Sequence, residues 1–253
     1  MVTSMLIRKE FIFEPINDCS ISYNYQYEIH KNINYYISVA DKNMEKFLNN
    51  TGYREKSGHI FKLYNFALRF KNVIFNDKIK LNTNSQVKLI ISGKEDILKT
   101  IAKGLLHVKK IKLNDIDFKL KIIEDSVNVR FNKIMLYKTL SPIIETTTND
   151  IKEKRYLTPY ESEYYINLAN NAKRKYELIY NKEYKDKIYF DIEDAFNIKK
   201  KSFAIKDGHL TGYEYNIWVE ATPKMQNIIY YLGLGQNSST GAGMIEYITG
   251  RKG

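Results

Sequence analysis

Gly233-Leu-Gly-Gln-Asn-Ser-Ser-Thr-Gly-Ala-Gly243 constrains this chain more than any other stretch. Six of the 12 glycines lie between Gly233 and Gly253, and only Gln236, Asn237, Ser238, Ser239 and Thr240 separate Gly233/Gly235 from Gly241/Gly243. Glycine gives up more backbone entropy than any other residue, so a cluster this dense implies positive φ angles or a close approach of the main chain. Met225, Ile228, Ile229 and Leu232 lead into it with helical spacing, and Met244 to Ile248 lead out as a strand. A phosphate-binding P-loop runs strand, glycine loop, helix and carries Gly-Lys-Ser/Thr. Here the order is reversed and the loop has no lysine, so nucleotide-cofactor readings are weak and no cofactor is expected. What remains is a collar of N–H groups and hydroxyls suited to phosphate oxygens, or a tight turn packing the last helix on a sheet.

Composition narrows the partner. Among 253 residues, 40 Lys+Arg stand against 29 Asp+Glu, a net charge of +11, and there are 21 Tyr and 12 Phe. A basic surface with aromatics that can stack on bases suits single-stranded RNA; the bland alternative is a biased, merely soluble Lys- and Asn-rich surface. Cys19 stands alone, so neither a disulfide framework nor a Cys-rich metal site is expected. No apolar run reaches the roughly 18 residues of a membrane helix and no signal peptide is read, so the expected setting is cytoplasmic, without a membrane.

Periodicity gives an element order. Met5 to Phe13 reads as a strand, Tyr25 to Val39 as a helix through Ile29, Ile33, Tyr36 and Ile37, and Asp41 as the N-cap of a short second helix to Leu48. After a loop from Asn49 to Gly58 come strand-like runs His59–Phe70, Val73–Asn82 and Gln86–Ser92, an amphipathic helix Glu95–His107 and a strand Ile111–Ile123. The pattern then restarts: strands over Val127–Leu140, a break at Ser141-Pro142, an exposed polar loop Thr146–Arg155 and a helix Tyr160–Asn181. Strand-like runs Ile188–Ile205 and Gly212–Ala221 follow, and Thr222-Pro223 opens the last helix in cap-then-proline order. Each half is β-α-β-β-α-β, the ferredoxin-like unit. The expected fold is α+β, two tandem ferredoxin-like domains over 1–125 and 126–253.

Beyond the glycine-rich loop, several segments resemble the RAMP (repeat-associated mysterious protein) superfamily, and most of all its CRISPR-associated endoribonucleases that cut repeat RNA. They are Trp218-Val-Glu-Ala-Thr-Pro, Tyr230-Tyr-Leu-Gly-Leu-Gly, Tyr23-Asn-Tyr-Gln-Tyr27, Phe61-Lys-Leu-Tyr-Asn-Phe-Ala-Leu68 and Leu140-Ser-Pro-Ile143. The resemblance implies CRISPR repeat RNA as partner and cleavage without a metal. The RNA's own 2′-hydroxyl attacks, leaving a 2′,3′-cyclic phosphate. A homodimer and a CRISPR effector complex are further assemblies that it leaves open.

That chemistry needs a base for the 2′-hydroxyl and a cation for the phosphate and leaving oxygen. The residues themselves show no His-x-x-x-His, Cys pair or carboxylate cluster of metal spacing, so no metal ligands are assigned. By the resemblance, Lys62 occupies the family's lysine position. Asn49, in Phe47-Leu-Asn-Asn-Thr-Gly52, stands where many members carry a histidine. The base is therefore sought in His59, three residues before Lys62, or His30, near the start of the first helix. His59 and Lys62 can reach one phosphate only if His59 lies outside the strand. His107 and His209 read as surface, and Tyr36, Arg54 and Lys56 as lesser helpers. RNA-binding candidates are Arg130, Lys199, Lys200, Lys201, and Gly233, Gly235, Asn237, Ser238, Ser239, Thr240, Gly241 and Gly243. A homologue that binds repeat RNA without cutting it is the alternative; a structural RAMP subunit fits the two-domain length less well.

Overall fold

A computed structural model describes residues 5–126, 128–148, 153–206 and 208–251. Expectations that fall on Val127, on 149–152 or on Asp207 lie outside those residues. In the first half, β1 (Leu6–Pro15), α1 (Gln26–Ala40), β2 (Tyr64–Phe75), β3 (Ile79–Lys94), α2 (Glu95–Val108) and β4 (Ile116–Asp125) follow one another. The strands pair antiparallel in the order β2-β3-β1-β4, with Lys110–Leu113 beyond β4 and Cys19–Ile21 beside the start of β3. Alternation puts Phe11 and Phe13 of β1, and Val87, Leu89 and Ile91 of β3, in the core. Both helices cover that face. α1 buries Ile29, Ile33, Tyr36 and Ile37, and α2 buries Ile97, Leu98, Ile101 and Leu105. Gly104 lets them touch, because a Cβ there would strike the Tyr36 carbonyl.

The second half comprises β5 (Ile134–Thr139), α3 (Ser162–Tyr180), β6 (Tyr189–Ile192), β7 (Lys199–Ile205), β8 (Gly208–Glu214), β9 (Asn216–Glu220), α4 (Pro223–Leu232) and β10 (Ile245–Arg251). Its main sheet is antiparallel in the order β6-β9-β5-β10, and β7 and β8 form a separate two-stranded ribbon. The Thr222 side chain accepts from the Met225 N–H, with Pro223 in the first turn, so α4 starts as its sequence proposes. The fold is thus mixed α/β, and one apolar cluster runs through both halves, from Phe11 and Ile33 to Tyr137, Ile228 and Ile245. Arg8 of β1 fastens them. Its guanidinium lies 3.8 Å from the centroid of the Tyr230 ring and donates to the carbonyls of Tyr230 and Ile245, each at 2.9 Å.

Several expected boundaries move. The break between Phe70 and Val73 is a bulge rather than a turn: Asn72 sits at φ +57° and β2 continues to Phe75. The chain reverses at 76–78, and β3 then runs unbroken through the gap expected before Gln86. The single strand Ile111–Ile123 is a hairpin, because Asn114 and Asp115 adopt φ +46° and +63° and polar Asn/Asp side chains tolerate that region. Of the expected run Val127–Leu140, only Ile134–Thr139 is a strand among the described residues. The polar stretch after Thr146 contributes two short strands, Thr146–Thr148 and Lys154–Tyr156, paired to each other. His209 is exposed on β8, and its carbonyl accepts from the Tyr156 hydroxyl at 2.8 Å. Ile166 is 58 % exposed, since two-residue spacing from Tyr164 and Leu168 turns it away from the core side of α3. Among the described residues no helix is long and apolar enough to cross a membrane.

Candidate nucleic-acid site

Asn49 is placed by a helix that changes pitch. Asp41 caps the short helix Lys42–Lys46, accepting from the N–H groups of Asn43 and Met44. The chain then widens into one π-turn, Phe47–Thr51, which the Gly52 N–H closes on the Phe47 carbonyl at 2.6 Å. This turn presents the Asn49 carboxamide to Lys62. Lys62 Nζ donates to Asn49 Oδ1 at 2.7 Å, while Asn49 Nδ2 donates to Glu45 Oε1 at 3.0 Å. Burial holds the Lys62 ammonium below the usual lysine range, and the Glu45 carboxylate works against that shift.

Lys62, His59, Phe61, Asn171 of α3 and the loop from Gly235 to Ser239 line one cleft of about 250 Å³. His59 precedes the two-residue strand Ile60–Phe61, so it lies in the loop, the condition under which it and Lys62 face a common space. Its ring stands edge-on to Phe61, 6.3 Å between centroids. No hydrogen bond engages its ring nitrogens among the described residues.

His30 approaches the same place from α1. Its Nδ1 lies 2.9 Å from the Ser239 carbonyl, and a carbonyl only accepts, so Nδ1 carries the proton. Nε2 is left to accept from Asn34 Nδ2 at 3.0 Å. Burial lowers the His30 pKa below its ordinary value; the Ser239 carbonyl opposes the shift and the nearby Lys62 charge adds to it. His30 is therefore neutral at pH 7, with both nitrogens engaged.

The glycine-rich loop is held from two sides. Gly233, Gly235, Gly241 and Gly243 all have positive φ, and at Gly243, φ +71°, a Cβ would collide with the Leu234 carbonyl. Much of its N–H collar is spent inside the protein. Leu234 donates to the Gly243 carbonyl, Gln236 to Ile144, Thr240 and Ala242 to Asn237, Gly241 to Ser238 and Gly243 to Pro142. From beneath, Lys175 of α3, 1 % exposed, donates to the carbonyls of Leu232, Gly233 and Gly235 at 3.2, 2.9 and 3.2 Å. Glu145, also buried, accepts from Gln236 Nε2 at 2.9 Å. Burial pushes the Glu145 carboxyl up to about 7 and the Lys175 ammonium down to about 7, and each charge pulls the other back.

The remaining expected RNA contacts lie elsewhere. Arg130 lines a separate cleft of about 500 Å³ with Glu10, Tyr230, Glu246 and Tyr247. Lys199, Lys200 and Lys201 are exposed on β7, where Lys199 and Lys201 act on the half-buried Glu214 together with Arg69. Among the described residues no group of three or more His, Cys, Asp or Glu could hold a metal ion. Sequence reading missed Asn34, Glu145, Asn171 and Lys175. The one available signal was the four-residue spacing of Asn171 and Lys175 beside Leu168 and Ala172, which puts polar letters on the buried side of α3.

Comparison with known proteins bears on the whole chain. The family model for CRISPR associated protein Cas6, C-terminal, matches residues 123–247. A CRISPR-associated endoribonuclease Cas6 of Methanocaldococcus jannaschii is 28 % identical over 250 residues, covering 94 % of this chain and 92 % of the relative. The solved structure of a Cas6-related protein from Pyrococcus furiosus superposes with a TM-score of 0.83 at 20 % identity, covering 96 % of this chain and 99 % of that one. A RAMP protein binding different RNA substrates superposes equally well, TM-score 0.83 at 20 % identity, covering 96 % and 100 %. With the family model on its second half and a Cas6 relative matching along nearly its full length, the chain is similar to the Cas6 family from end to end.

Proposed function

We propose that the protein is an endoribonuclease that processes CRISPR repeat RNA, on a scaffold of two ferredoxin-like domains meeting near residues 125 and 126. The two sheet orders, β2-β3-β1-β4 and β6-β9-β5-β10, support the scaffold, and the named activity of the M. jannaschii relative supports the reaction class. The observation that carries the reading is one cleft holding an unengaged imidazole, a partly desolvated ammonium and the hydroxyls of Ser238 and Ser239, in a chain of net charge +11.

In this reading His59 takes the proton from the 2′-hydroxyl. The 2′-oxygen bonds to phosphorus, the bond to the 5′-oxygen breaks, and a 2′,3′-cyclic phosphate remains. Lys62 offsets the charge that grows on the phosphate. Its lowered pKa lets it pass a proton to the departing 5′-oxygen. His30 holds the loop through Ser239 and is a positioning residue, since neither of its nitrogens is open to substrate.

The test is incubation with end-labelled repeat RNA in EDTA, wild type beside His59→Ala, Lys62→Ala and His30→Ala. A single cut with a cyclic end, reduced about a hundredfold or more by His59→Ala and by Lys62→Ala, is expected. Tight binding with no cut by the wild type would overturn catalysis and place the protein among non-catalytic repeat-RNA binders.

A further inference from the structure

Glu45, Asn49 and Lys62 form a chain of hydrogen bonds whose direction is fixed at both ends. A carboxylate only accepts and an ammonium only donates. Glu45 Oε1 accepts from Asn49 Nδ2 at 3.0 Å, which leaves Asn49 Oδ1 to accept from Lys62 Nζ at 2.7 Å. Glu45 lies on the short helix Lys42–Lys46 and Asn49 on the π-turn that continues it, four residues on, so the two side chains are neighbours. Removing the carboxylate frees the amide to turn its NH2 group toward the ammonium, which offers no acceptor. Burial disfavours the Lys62 charge, and Glu45 is the carboxylate that works to restore it. The other titratable groups around Lys62 are the imidazoles of His30, from α1, and His59, in the cleft wall, and neither supplies a negative charge.

We infer that Glu45 is a positioning residue for the reaction, acting through Asn49 to aim the Lys62 ammonium. The inference rests on the repeat-RNA reading above, because aim matters only if Lys62 meets the scissile phosphate. Glu45 has two effects. It turns the Asn49 oxygen toward Lys62, and its charge keeps Lys62 protonated and so able to pass a proton to the departing 5′-oxygen. An ammonium has three N–H donors. Asn49 takes one, and no other hydrogen bond engages Lys62 Nζ among the described residues, so the rest stay open to phosphate oxygens.

Two variants separate these effects. Glu45→Gln keeps an acceptor for Asn49 but deletes the charge, whereas Glu45→Ala deletes both. The first readout is NMR on protein labelled at the lysine Cε, with Lys62→Arg identifying the Lys62 signal. Glu45→Gln should lower the Lys62 titration midpoint by about half a pH unit or more. The alkaline limb of the cleavage rate on end-labelled repeat RNA should move down with it, while the acid limb stays in place. Glu45→Ala should reduce kcat about tenfold with KM held within about twofold. Adding Asn49→Ala to it should cost less than about twofold more, because both changes break one chain. Glu45→Gln has the wild-type shape and remains informative if the alanine variant does not fold. A Lys62 midpoint that Glu45→Gln leaves unmoved overturns this inference alone, as does a wild type that cuts with an alkaline limb the variant does not shift. A wild type that does not cut the RNA overturns it together with the functional reading.

Discussion

Lys62 Nζ donates to Asn49 Oδ1 across 2.7 Å, joining a π-turn to the end of a two-residue strand. Asn49, the residue at the position where the resemblance implies an imidazole, therefore touches the cation of the proposed site. An amide there orients the ammonium but cannot accept a proton at neutral pH. A histidine at 49 would place a ring nitrogen beside Lys62, so Asn49→His in a His59→Ala background should restore at least tenfold of the lost cleavage rate. A correctly positioned base is worth about 10²–10⁴. Single-turnover cleavage of repeat RNA measures it; no gain would mean that position 49 does not face the 2′-hydroxyl.

The second prediction concerns pH. Burial depresses the folded-state pKa of His30, so the unfolded chain binds a proton there more readily than the folded one. Its contribution to stability is fully present above the unfolded value of about 6.5 and is lost as pH falls through that value toward the lower folded one. His30→Gln, which has no titration in this range, should lower the melting temperature at pH 7.5. The gap to wild type should narrow at pH 5. An equal gap at both pH values would show that His30 is not held neutral.

How far the sequence exposes all this depends on the range of the interaction. Local rules were legible: Asp41 caps its helix and Thr222-Pro223 opens α4, because each depends on residues two or three apart. Alternation identified strands but not their turns. Asn72 absorbs a positive φ as a bulge, whereas Asn114 and Asp115 use the same tolerance to reverse the chain, and single residues do not say which. The site itself closes over long range. His30 and Ser239 are 209 residues apart, and no spacing announces a contact between an α1 imidazole and a loop carbonyl. Lys175 and Asn171 stayed hidden because lysine and asparagine on a helix read as surface until the loop above is placed.

Removing the charge beneath the loop should be costly, and reversibly so. Lys175 supplies the carbonyls of Leu232, Gly233 and Gly235 with a donor, and it helps to offset the buried Glu145 carboxylate. Lys175→Met removes one of the charges that offset that carboxylate and leaves three buried carbonyls without this donor, and should cost about 3–5 kcal/mol in denaturant unfolding. Glu145→Gln should be close to neutral, since burial already disfavours its charge. The double variant should recover at least about 1 kcal/mol over Lys175→Met, because the two charges act on each other and their effects are not additive. Strict additivity would place the cost in the carbonyl hydrogen bonds alone.

The ribbon β7-β8 provides the last prediction. Lys199, Lys200 and Lys201 are exposed at the start of β7, on a ribbon that β8 ties to Ile143 through the backbone bridge at Tyr213. If these lysines track the RNA backbone, their contribution is counterion release, which salt reveals directly. Lys199→Glu with Lys200→Glu should weaken binding of repeat RNA. The slope of log affinity against log salt should flatten by about 0.7 for each phosphate that is no longer neutralised on single-stranded RNA. The cleavage rate of bound RNA should not change, because neither lysine lines the Lys62 cleft. Unaltered binding and slope would make the lysines a solvated guard on an edge strand, the role that such residues serve in sheets that must not pair with a neighbour.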